Sequence, residues 1–175
     1  LTQRNFNEAK AKLRTALTLA SDAQLRESVL ETKRTLCEAN ALSGAAREAV
    51  PLCKEAVTLG EQTKDPWLLS RTKLTLAEAL LENGEAKIAL ENALALADSF
   101  EHTQQKDSEW FALLIAARAS QTSNDTAKAH EYANRSLELF KGLEQTWGTD
   151  SYRSFLTRPD VMYYHRQLQL LTDSR

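Results

Sequence analysis

The fold is decided by a short stretch, Asn83-Gly84-Glu85-Ala86-Lys87-Ile88-Ala89, and by its counterparts 40 residues to either side. Gly44 precedes Ala49 by five residues, Gly84 precedes Ala89, and Asn124 precedes Ala129. Glycine and asparagine tolerate a positive φ, so each marks a tight stop between helices. Ala9 extends the alanine column backwards in the same frame. Further columns keep the period: Ala39, Ala79 and Ala119; Cys37, Ala77 and Ala117; Leu13, Cys53, Ala93 and Ala133. Small residues at fixed points on both helices of a hairpin let two backbones approach closely. Such hairpins bury their apolar faces only by stacking on neighbours.

Between these points the apolar spacing is helical throughout. Phe6, Ala9, Leu13, Ala16, Leu17 and Ala20 form the stripe of a first amphipathic helix. A second helix is expected from about Ser21, with Gln24 completing a capping box, to Leu42-Ser43-Gly44. A third covers about 46–62 and carries Pro51, where the helix either bends or begins later; the register of Ala49 favours a bend. Asp65-Pro66 opens a fourth, ending at Asn83-Gly84. A fifth runs over 85–104, a sixth is capped by Asp107 and ends at Ser123-Asn124, and a seventh covers about 125–145. After Trp147-Gly148 the period lapses. A short helix over 150–156 and another opened by Arg158-Pro159-Asp160 are expected to cover the last apolar face through Phe155, Val161, Tyr164, Leu168 and Leu171.

The glycine followed by the second-helix alanine resembles the tetratricopeptide repeat (TPR) family over about residues 5–147. The period exceeds the roughly 34 residues usual there. It is similar to the lengthened repeats of multidomain bacterial regulatory proteins. Lys33 and Lys73 stand where that family often has an aromatic, and the closing proline is missing. The resemblance implies an all-α, right-handed TPR-like α-solenoid of antiparallel hairpins. Repeats would fill 1–147, the first represented by its second helix alone, and capping helices 148–175, as the C-terminal part of a larger signalling protein. It also implies a concave face lined by first helices, onto which Arg34, Glu38, Arg71, Glu78, Phe111, Arg118 and Gln121 would point. Glu38, Glu78 and Arg118 share one column of the repeat.

Composition agrees with a helical array. Five glycines and three prolines in 175 residues are few for an all-β fold. Twenty-two Lys and Arg against 24 Asp and Glu give no basic excess for nucleic acid, and no polybasic stretch marks a membrane surface. The longest strongly apolar run, Trp110 to Ala117, is too short for a bilayer. Two cysteines, Cys37 and Cys53, do not make a disulfide scaffold. They read as compact hydrophobes on one hairpin in a reducing cytoplasm.

No phosphate loop, nucleophile elbow or zinc-protease signature is present, and no cofactor is implied. Asp98 and His102, with Glu101 and Asp107 nearby, read as a solvated helix end rather than metal ligands. Trp67 and Trp110 read as junction packing. Three functions compete. The leading one is a non-catalytic module binding a protein, a peptide or another domain of its own chain. The second is an array self-associating through the exposed N-terminal helix. The third, a helical enzyme or metal-binding bundle, needs ionisable residues at the inward positions, which are Ala, Leu and Cys.

Overall fold

A computed structural model describes residues 5 to 173; residues 1–4 of the expected first repeat and 174–175 lie outside it. Among the described residues there are nine α-helices and no strand. They are α1 (Phe6–Asp22), α2 (Arg26–Leu42), α3 (Ala46–Glu61), α4 (Pro66–Glu82), α5 (Ala86–His102), α6 (Lys106–Thr122), α7 (Thr126–Trp147), α8 (Thr149–Leu156) and α9 (Pro159–Asp173).

The first seven helices begin 20 residues apart, half the period of the sequence columns. Five of the six turns between them share one construction. Gln24, Gly44, Gly84, Gln104 and Asn124 adopt positive φ, between 56° and 83°. The next N–H donates to a carbonyl five residues back: Leu25 to Ala20, Ala45 to Asn40, Glu85 to Leu80, Gln105 to Phe100 and Asp125 to Ser120, each at 2.9 Å. This closure satisfies carbonyls that the helix end leaves open. The turn after α3 differs. Thr63 bonds Gly60 O through its N–H and its hydroxyl, at 3.0 and 2.7 Å. Asp65, kept extended before proline, caps α4 by accepting from the N–H groups of Trp67 and Leu68 at 3.0 Å.

The expected helix boundaries hold with two corrections. Ser21 and Gln24 do not form a capping box: α1 runs to Asp22, the Ser21 hydroxyl bonds Leu17 O, and Gln24 is the left-handed turn residue. Asp107 does not cap α6, which starts one residue earlier after Gln105. In both cases a glutamine occupies the position that glycine or asparagine marks elsewhere, so the sequence carried no stop signal. Pro51 lies exposed within α3, which starts at Ala46 and not beyond the proline.

The helices fall into two compact units, residues 5–85 and 86–173. In the first, α1, α2, α3 and α4 each pack on the next, and α2 also meets α4. Ala39, Ala49 and Ala79 are fully buried, as are Leu30, Ala56 and Ala77. Gly60 admits Leu69 so closely that a Cβ there would lie 3.1 Å from its Cδ1. Cys37 on α2 and Cys53 on α3, both fully buried, are joined in a disulfide with their Cα atoms 5.5 Å apart. This corrects the reading of the pair as free thiols. The two small-residue columns face each other across α2 and α3, and Cys in both columns brings the sulfurs within bonding reach.

In the second unit α5 packs on α6 and α6 on α7, while α8 and α9 lie on α7 and α9 also reaches α6. Ala89, Ala93, Ala117, Ala119, Ala129 and Ala133 are at most 1% exposed. The C-terminal helices bring an aromatic cluster: Phe140 lies 4.9 Å from Trp110, 5.8 Å from Phe155 and 4.8 Å from the stacked His165 ring. The buried Ser136 hydroxyl on α7 donates to Trp110 O on α6 at 2.7 Å.

Candidate functional site

On α2, residues 31, 34, 35 and 38 follow three- and four-residue steps and so share a face. Arg34 is the centre of it. Its Nε and Nη2 donate to the two carboxylate oxygens of Glu31 at 2.9 and 2.6 Å, a bidentate fork. Its Nη1 lies 3.4 Å from Glu38 Oε2 and 3.4 Å from the Thr75 hydroxyl on α4. Thr75 donates in turn to the carbonyl of Arg71, and Thr35 to that of Glu31.

The cluster is buried beneath and open above. Arg34 is 8% exposed, whereas the side chains of Glu31 and Glu38 keep 43% and 30% of their surface. Arg34's hydrogen bonds pull the Glu31 carboxyl below the usual glutamate range; burial opposes this, and the charges of Arg34 and Arg71 assist it. Burial works against the Arg34 charge, but Glu31 and Glu38 outweigh it and hold the guanidinium more firmly protonated. Arg71, half-buried on α4, places its guanidinium 4.5 Å over the ring of Trp67, itself 49% exposed.

Of the residues singled out in the sequence, Arg34, Glu38, Arg71 and Glu78 all lie on α2 and α4 of the first unit. Glu78 is only 2% exposed, so it belongs to the interior of α4 rather than to a solvated rung. Phe111, Arg118 and Gln121 lie on α6 in the second unit. The Phe111 ring meets Tyr164 of α9 edge-on at 4.5 Å and serves aromatic packing. Arg118 is half-buried, and Gln121 is exposed in the last turn of α6. The second unit also has a groove lined by Gln104, Lys106, Asp107, Leu143, Thr146 and Trp147, none of which the sequence had marked for binding. Sequence reasoning missed Glu31 and Thr75. The signal for Glu31 was its three-residue spacing before Arg34; Thr75 required knowing that α2 and α4 meet.

Partly exposed carboxylates over a buried guanidinium, beside a second guanidinium stacked on tryptophan, form a surface of mixed sign. It offers acceptors to ammonium, guanidinium or amide donors, and a flat ring to an apolar side chain.

No family model matches the chain, and no curated protein matches it in sequence. In structure it is similar to the crystal structure of BtubC (BKLC) from P. vanneervenii. The TM-score is 0.61 at 17% identity, over all of this chain and 75% of that one. At that identity the likeness speaks for the fold alone, an all-α helical array. Among the described residues no helix is long and apolar enough to cross a membrane.

Proposed function

We propose that the chain is a non-catalytic protein–protein interaction module of the TPR-like kind, a right-handed solenoid of antiparallel hairpins closed by α8 and α9. The observation that carries this reading is the Glu31–Arg34–Glu38 cluster facing Thr75 and Arg71. An ionic group fixed by a bidentate pair on α2 and tied to the packed α4 through Thr75, with its carboxylates open, suits capture of a peptide or partner helix bearing basic and apolar side chains. The test pairs two half-buried positions. A Glu38→Lys, Arg71→Glu variant and the wild type, matched in helicity, are compared in pull-downs from the native organism over a salt series. Partners lost, or shifted to lower salt, support the reading. Identical partners with identical salt dependence refute it.

A second reading, self-association, rests on α1. Its one buried residue is Ala20, while Leu19 in its last turn and Leu25 just before α2 are 65% and 54% exposed. Sedimentation at several concentrations separates the two readings. Leu19→Lys abolishes association if this face makes it. A cytoplasmic setting is part of the proposal on composition, whereas the disulfide favours an oxidising compartment. The thiol state in cells decides between them.

A further inference from the structure

We propose that Cys37 and Cys53 form a redox latch, a buried thiol–disulfide couple that sets how firmly the α2–α3 hairpin holds together. Three observations converge. Both residues are fully buried, so the bond is closed to reagents while the hairpin is shut. They occupy columns that hold Ala77 and Ala117, and Leu13, Ala93 and Ala133, elsewhere in the chain, so packing at these points is met by hydrocarbon side chains and asks for no sulfur. Cys37 lies three residues after Arg34 and next to Glu38, and Lys33 pairs with Glu55 across the same two helices. The bond therefore fixes the helix that carries the charged cluster. The inference does not depend on which face binds a partner.

The chemistry is thiol–disulfide exchange. A dithiol donor attacks one sulfur and forms a mixed disulfide. Its second thiolate then displaces the remaining cysteine and leaves as a disulfide. Two electrons and two protons pass to the Cys37 and Cys53 pair. Oxidation is the reverse, with a small-molecule or protein disulfide as acceptor. Because both sulfurs are covered, exchange waits on opening of the hairpin, so the latch switches slowly and is held in either state.

The experiment uses the full chain, oxidised with glutathione disulfide or reduced with dithiothreitol, alongside a Cys37→Ala, Cys53→Ala variant. Thiols are counted by alkylation and mass. The oxidised chain is expected to melt higher than the reduced one by roughly 6–12 °C, from the entropy of closing a loop of this length. The alanine variant should melt with the reduced chain and ignore both reagents. Hydrogen exchange in α2 and α3 should quicken on reduction, and the rate of reduction should rise with sub-denaturing urea. If both thiols alkylate once the glutathione-treated protein is unfolded in denaturant, no bond had formed and the proposal falls. A melting shift of the same size in the alanine variant also overturns it, because the shift then owes nothing to the bond. Should the alanine variant fail to fold, oxidised and reduced wild type still decide: equal melting points with the bond verified refute the latch.

Discussion

The guanidinium of Arg34 on α2 reaches the hydroxyl of Thr75 on α4, 3.4 Å away and 41 residues along the chain. It does so while both its other donor positions are held by Glu31. One side chain thus joins two helices that α3 separates in sequence. Arg34→Ala is expected to cost about 1–3 kcal/mol, since the Glu31 fork and the packed stem are both lost. Arg34→Lys should recover only part of that, because an ammonium cannot make the fork. Urea unfolding of the three proteins checks it, and a lysine variant equal to wild type would remove the fork from the account.

The left-handed turn residues predict substitutions of opposite sign. Gln104 holds φ 57° with a Cβ, so Gln104→Gly should stabilise by about 1 kcal/mol. Gly44 holds φ 83° with open space around an added Cβ, so Gly44→Ala should cost about 1–2 kcal/mol through backbone strain alone. Melting curves for the pair should move apart, and shifts of the same sign contradict the turn assignment.

The small-residue columns predict intolerance to volume. Ala133 on α7 is fully buried, and Ala133→Leu should cost about 1–3 kcal/mol by overpacking. The exposed Glu138 on the same helix serves as control, and Glu138→Ala should stay within about 0.5 kcal/mol. Calorimetry that finds the two alike shows α7 to be docked in another register.

Two groups predict acid sensitivity in separate windows. Burial, helped by the charge of Lys141, lowers the pKa of His165, whose ring stacks on Phe140. The unfolded chain then takes up a proton before the folded one, so stability falls as pH drops through the ordinary histidine pKa of about 6.5. His165→Gln should flatten that limb. The lowered pKa of Glu31 acts further down: its contribution is present above the ordinary glutamate pKa, about 4.3, and is lost as pH falls through the folded value. Glu31→Gln should flatten only the lower limb. Stability measured from pH 7 to pH 3 tells the limbs apart, and a variant that flattens the other's window is the adverse result.

The all-α class and most helix boundaries were legible because Gly44, Gly84 and Asn124 announce their turns and alanine columns recur between them. The half-period was not legible, since Gln24 and Gln104 do the same backbone work without the residue type that advertises it. Arg34, Glu38, Arg71 and Glu78, singled out through the family resemblance, lie on α2 and α4. Their burial was hidden, because a charged residue's exposure depends on which helix lies opposite. The Cys37–Cys53 bond was within reach: the two columns were visible, but the closeness of the backbones where they meet was not.

The turn after α3 has a consequence for limited digestion. A protease must draw several residues into extended form, and the five turns closed by left-handed residues offer no slack for that. Residues 62–65 lack that closure and present an exposed lysine, Lys64. Trypsin should therefore nick there first. Both cysteines lie upstream of the cut, so the two pieces are not tethered by the disulfide and separate on a non-reducing gel.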